Sequence, residues 1–408
     1  MIQRTSLKAI ALQPRRDLKP SYQLSSPMTI PPISCSHLKK SLILITTLLF
    51  SALGTACAAE PVMTKTGDLF VRDPYVVAVQ ESQTYYLYAT HQDPETKRRG
   101  VQVYKSKDLE SWSEGTVVFE IPDGIWADPT DSLWAPEVHL YNGKYYLFAT
   151  LSNPTTTLTT DQKDRPDLYL RATSVFVSDS PDGPFTNLNT APQTPDDWMS
   201  LGGTLWAEDG VAWMVFCHEW WQAVDGTFEL MPMAPDLSQP LADPLTLFSA
   251  SQGNWTRDMK KLAEAKGNEQ PTGRVSDGPF VFKTKDDHLL MLWSSFGENG
   301  YACSFARSRS GKITGPWIPA DEPMYDQDGG HGMIFETFDS RLILTLHAPN
   351  SPGNSRAQFL EIEALGDRIQ LKQPEPEPEP EATSEPAPAP TPAPTAAKAP
   401  AADEPAPE

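Results

Sequence analysis

Tyr85-Tyr86-Leu87-Tyr88-Ala89-Thr90 returns as Tyr145-Tyr146-Leu147-Phe148-Ala149-Thr150. Trp213-Met214-Val215-Phe216-Cys217-His218, Leu289-Leu290-Met291-Leu292-Trp293-Ser294 and Leu342-Ile343-Leu344-Thr345-Leu346-His347 have the same character. These runs are short, aromatic and aliphatic, and they start at intervals of roughly 50 to 75 residues, a spacing that marks a repeating supersecondary unit. Few long helical periodicities interrupt them, so the body is read as all-β.

Working outward, each run is preceded by a short strand that opens on a distinctive residue: Asp73, Glu137, Gly202, Asp277 and His331. Third strands and turns follow, most clearly Ser178-Asp179-Ser180 to Gly183-Pro184-Phe185 and Ser308-Arg309-Ser310 to Gly315-Pro316-Trp317. Five repeats of three to four antiparallel strands predict a five-bladed β-propeller with a central axial pocket. First strands line the axis of such a fold, so the five opening residues converge. Second strands run back antiparallel and end at the same face, adding His91, Ser152, His218, Glu219, Ser294, Ser295 and His347. The competing architecture is a β-sandwich with incidental repeats.

The two ends have other compositions. In residues 1–58, Lys39-Lys40 precedes an apolar run from Leu42 to Leu53 and then Ala56-Cys57-Ala58, the layout of a secretory signal, with Met28 as a more ordinary start. The run is too short to span a bilayer, so the mature chain is expected to carry no membrane-spanning segment. Cys57 offers lipidation as an alternative, although Gly54 stands where that signal prefers Leu. Residues 373–408 alternate Pro with Glu, then with Ala and Thr, and read as a disordered Pro/Glu/Ala-rich tail. The domain is therefore placed at 59–372, and the protein is expected to be secreted or periplasmic. Its cysteines, Cys217 and Cys303, are compatible with a disulfide or with two buried thiols.

The 408 residues include 53 acidic and 33 basic side chains, a net charge of −20. Residues 1–58 carry 7 basic and 1 acidic residue and residues 373–408 carry 1 basic and 8 acidic, so nearly all the excess belongs to the body. That charge argues against nucleic acid, whose phosphates are met by basic residues. It suits a neutral polysaccharide better than a polyanion.

Two carboxylates flanking a bond, one acid and one base, are the minimal apparatus for glycoside hydrolysis. Asp73 opens an axial strand and is the first candidate. Arg72-Asp73-Pro74-Tyr75, Leu133-Trp134-Ala135-Pro136-Glu137-Val138, Ser276-Asp277-Gly278-Pro279-Phe280 with Gly300-Tyr301 and Ala306-Arg307-Ser308, and Gly330-His331-Gly332 together resemble the blade-opening motifs of glycoside hydrolase family 43. The resemblance covers the whole body in order. It implies a five-bladed propeller acting on arabinose- or xylose-containing plant polysaccharide by inversion, with no required cofactor. It assigns Asp73 as general base and Asp277 as general acid, although the family usually places Glu there. Gly202 departs further, standing where the family has an Asp that tunes the acid. Glu219, at the axial end of the same blade's second strand, is the substitute for that tuning and an alternative proton donor.

Glu137, Trp134, His218, Trp220, Trp293, Ser294 and Arg307 are expected to contact the sugar, the indoles by stacking on its apolar face. His331 resembles the axial histidine with which many members hold a central metal, so a structural calcium on the axis is a further implication; no Cys/His spacing indicates zinc. The competing class is a carbohydrate-binding propeller without hydrolytic activity, motivated by Gly202 and by Asp at the acid position. An extracellular scaffold tethered by its tail is the third.

Overall fold

The structure is a computed structural model, and residues 62–372, apart from 161, 163, 164 and 166, are described. The segments read as signal and tail lie outside the described residues. Five four-stranded antiparallel sheets follow one another along the chain, each with strands in sequence order from the axis outward. Blade 1 uses Tyr75–Val79, Thr84–Gln92, Arg99–Ser106 and Thr116–Glu120. Blade 2 uses Leu133–Tyr141, Lys144–Leu158, Leu168–Ser178 and Thr186–Asn187. Blade 3 uses Ser200–Glu208, Val211–His218, Thr227–Met233 and Leu245–Ser249. Blade 4 uses Asp277–Lys283, Leu289–Gly297, Gly300–Ser308 and Trp317–Pro319. Blade 5 uses Gly330–Glu336, Leu342–Ala348, Arg356–Leu365 and Arg368–Leu371. The five-bladed propeller is thus the observed architecture.

The continuous apolar runs have a direct cause. Side chains alternate between the faces of a strand, and both faces of every blade are covered by neighbouring blades. In Thr84–Gln92, Tyr85, Leu87 and Ala89 pack toward blade 5, whereas Tyr86 and Tyr88 pack toward blade 2. A strand buried on both sides reads as unbroken hydrophobicity instead of alternation. One hydrophobic cluster fills each of the five blade interfaces. Their centres include Phe148, Phe216, Leu292 and Trp293, all essentially inaccessible. Truncating such a ring to Ala costs about 3–5 kcal/mol.

Among the described residues the ring closes between blades 5 and 1 without exchanging a strand. Leu69, Val71, Tyr75 and Trp112 meet Met333, Phe335, Ile343 and Ala357 there, and Trp112 stacks on Phe359 with centroids 5.9 Å apart. A single backbone bridge, Phe70 with Arg356, supplements them. Cys217 and Cys303 are buried free thiols, which settles the alternative left open by the sequence. No helix among the described residues is long and apolar enough to cross a membrane.

Candidate active site

The blades aim residues at the axis through a repeated backbone irregularity. A residue at the mouth of each inner strand adopts a left-handed conformation: Asp73 (φ 50°), Ala135 (45°), Gly202 (63°), Gly278 (53°) and His331 (53°). In blades 2 to 5 a register shift accompanies it, between Trp134 and Glu137, Leu201 and Thr204, Asp277 and Phe280, and Gly330 and Met333. Such bulges re-aim side chains at barrel and propeller rims. The equivalents of Asp73 in blades 2 and 4 are therefore Ala135 and Gly278, not Glu137 and Asp277 as the sequence alignment had them. At Gly278 the cause is visible: a Cβ there would lie 3.0 Å from His331 Cα, so only glycine brings blades 4 and 5 this close.

These openings surround a pocket of about 590 Å³ lined by Asp73, Trp134, Gly202, Glu219, Trp220, Asp277 and His331, among others. At its floor, His331 Nδ1 stands 3.3 Å from Asp277 Oδ1 and 3.7 Å from Asp73 Oδ1. His347 Nδ1 stands 3.1 Å from that same Asp73 oxygen. Burial opposes ionisation of Asp73, but His331, His347 and Arg72 outweigh it and hold the carboxyl far below its ordinary value. Burial likewise opposes charge on His331, yet the two aspartates prevail and push it up to about 9. Its backbone N–H donates to Ser294 Oγ at 2.8 Å, which fixes the ring's position.

Asp277 and Glu219 differ in kind. Asp277 accepts from Tyr301 Oη–H at 2.7 Å and from the Gly278 N–H at 2.9 Å. Despite burial, His331 and then Tyr301 lower its carboxyl. Glu219 is raised, chiefly by burial; Arg171 opposes this and Asp277 adds to it. Glu219 sits just ahead of the short helix Trp220–Ala223, with its N–H bonded to Met199 O at 2.8 Å. Its Oε2 pairs with Arg171 Nη1, and both side chains are nearly inaccessible. The Arg171 guanidinium also lies 4.0 Å from the Trp134 ring centroid.

The structure departs from the sequence reading at five of the seven expected sugar contacts; Trp134 and Trp220 line the pocket. Trp293 is fully buried against Phe228, Phe248 and Trp255 in the blade 3–4 core, because its strand position faces the neighbouring blade. Ser294 spends its hydroxyl on His331. His218 stacks on Trp198 at 4.1 Å and bonds Gln222, turned away from the pocket. Arg307 pairs with Asp367, in the turn between the two outer strands of blade 5. Glu137, two residues beyond the bulge, bonds His139 at 2.9 Å, and His139 in turn meets Tyr75 Oη at 3.1 Å, below the pocket floor.

As for the axial metal, His331 turns Nδ1 toward the two carboxylates, and its Nε2, buried and without a hydrogen-bond partner, is the ring nitrogen left to face an ion. Among the described residues no group of three or more His, Cys, Asp or Glu side chains is arranged to hold one. Arg171 was not singled out from the sequence, and Tyr301 entered only within the Gly300-Tyr301 motif, without a role. For Arg171 a signal existed, a lone cation inside the apolar strand Leu168–Ser178.

Comparison with known proteins agrees with this architecture. The chain is 24% identical over 332 residues to an extracellular exo-alpha-(1->5)-L-arabinofuranosidase of Cellvibrio japonicus, covering 74% of this chain and 85% of that protein. An endo-arabinase structure from Bacteroides thetaiotaomicron superposes with a TM-score of 0.64 at 35% identity, covering 74% of this chain and 98% of the other. A thermostable family-43 glycoside hydrolase at 22% identity, TM-score 0.59, shares the fold. The model of glycosyl hydrolases family 43 matches residues 61–372, and the chain belongs to that family of glycosidases.

Proposed function

We propose that the protein is an exported, inverting glycosidase that removes arabinose from plant polysaccharide, with Asp73 as base and Glu219 as proton donor. The observation that carries the assignment is the contrast between two buried carboxyls in one pocket: burial pushes Glu219 up against the pull of Arg171, whereas His331, with Tyr301, holds Asp277 down. A donor must hold a proton at working pH, and a base must not. Asp73, ionised between two imidazoles, takes a proton from water as the water oxygen bonds to the anomeric carbon. Glu219 gives its proton to the departing oxygen as the glycosidic bond breaks. Asp277 keeps His331 charged and in place, and Trp134 and Trp220 flank the sugar.

The arabinose assignment follows the names of the relatives, an exo-acting arabinofuranosidase and an endo-arabinase. Export follows the Lys39–Ala58 pattern. Inversion is what the family resemblance implies, and it requires the Asp73–Glu219 span to admit a water.

The test is hydrolysis of arabinofuranosides with good and poor leaving groups by wild type and Glu219→Gln. A lost donor is felt mainly where the leaving group needs its proton, so the nitrophenyl substrate should be cleaved far better than the alkyl one by Glu219→Gln. Equal loss on both overturns the donor assignment. The second reading, a sugar-binding propeller without turnover, is favoured by Gly202 and by the ionised Asp277. It predicts oligosaccharide binding with no release of arabinose by wild type.

A further inference from the structure

Beside the axial pocket runs a second concavity of about 380 Å³, which shares Arg72, Asp73, Trp134 and Pro352 with it. A chain seated in the pocket therefore continues into this groove past the exposed indole of Trp134. The groove's character is unlike the rest of the acidic body. Two arginines, Arg72 and Arg99, line it, and Asp73 is the one acidic residue among its lining side chains. Neither arginine is satisfied. Arg72 reaches only the edge of Asp73, Nε to Oδ1 at 3.8 Å, and its Nη1 is buried without a hydrogen-bond partner. Among the described residues Arg99 makes no side-chain hydrogen bond or ion pair, and its Nε is likewise buried and unpartnered. Five other arginines pair with carboxylates: Arg98 with Asp123, Arg171 with Glu219, Arg257 with Glu298, Arg307 with Asp367 and Arg341 with Asp339.

A buried, unpaired guanidinium nitrogen costs free energy that a planar anion recovers, and the guanidinium fork matches a carboxylate. We infer that this groove is a subsite for an acidic sugar, a uronic acid whose carboxylate is taken by Arg72 and Arg99 while the neighbouring arabinose occupies the axial pocket. The inference rests on the arabinosidase reading of that pocket. It also defines the substrate more narrowly. The body's negative charge repels a polyanion at long range, but over a Debye length of about 8 Å the local arginines dominate. The fitting substrate is a mostly neutral chain carrying isolated uronic acids.

The experiment is calorimetric titration of the full chain, with Glu219→Gln to prevent turnover, using two disaccharides: arabinosyl-glucuronic acid and its carboxyl-reduced counterpart arabinosyl-glucose. The acidic compound should bind on the order of tenfold more tightly, with an advantage that shrinks as salt is raised. Adding Arg99→Gln should bring the two affinities together, and Arg99→Lys should restore part of the difference, with melting temperatures confirming that each variant is folded. Equal affinities in the Arg99-intact protein, or a preference that survives Arg99→Gln, overturn the assignment while leaving the arabinose pocket standing. If neither disaccharide binds, the arabinose reading fails and the groove assignment with it.

Discussion

Blades 1 and 3 reach the axis with the same backbone and opposite chemistry. Asp73 and Gly202 both sit in left-handed conformations at the mouths of inner strands, at φ 50° and 63°. Blade 1 places a carboxylate there; blade 3 places nothing, and supplies its carboxylate, Glu219, from the far end of the adjacent strand. The repeat therefore fixes where a side chain can enter the pocket, while the identity of that side chain is free to vary blade by blade. Function in this fold is held by positions, and a lost group at one can be replaced from another that reaches the same space.

The sharpest way to break the comparison is to empty blade 1 as well. Asp73→Asn should lower kcat by about a thousandfold or more with little change in KM, since general-base assistance is worth about 10²–10⁴; initial rates on an aryl arabinofuranoside will show it. An unchanged rate would deny Asp73 its role.

Next in size is the floor that both blades share. His331 is charged in the folded protein up to about pH 9 and has an ordinary value of 6.5. A group raised on folding contributes fully below its unfolded value and loses that contribution as pH rises through the folded one. Stability should therefore fall by on the order of a few kcal/mol between pH 6.5 and 9. His331→Gln should be less stable at pH 6 and nearly flat across this window, as read from urea midpoints.

Refilling blade 3 is the smaller, more informative change. In Gly202→Asp the new Cβ meets Pro279 Cδ at 3.3 Å, and the left-handed backbone costs an aspartate about 1 kcal/mol. The added negative charge should keep a nearby donor protonated to higher pH, so the basic limb of the pH–rate profile moves up. A limb that stays put separates Gly202 from donor tuning. Smallest of all, Arg307→Gln should leave kcat/KM unchanged and stability within about 0.5 kcal/mol, because its pairing with Asp367 is a half-exposed surface bridge.

What the sequence made legible follows from the same division. Strand runs such as Tyr85–Thr90 declare themselves because burial on both faces makes them continuously apolar, and the five-bladed count follows from their recurrence. Asp73, Glu219, Asp277 and His331 were legible because they are polar groups at strand ends. Trp293 and Ser294 were misassigned to the sugar because adjacency in sequence to an axial position is not adjacency in space; alternate residues face opposite ways, and the bulges shift the register by amounts no pattern states. The Arg72–Arg99 groove is a product of distant segments meeting, which no local motif encodes.

The seam where the ring closes has a consequence for the base. Asp73 belongs to the first blade and both imidazoles beside it, His331 and His347, belong to the last. Among the described residues no strand crosses this junction; it is held there by side chains such as Trp112 and Phe359 and by one bridge. The chain must thus join contacts more than 250 residues apart before Asp73 acquires the charges that keep it ionised. Any opening of the ring at this joint disarms the base directly, so the enzyme's competence is a readout of its own closure.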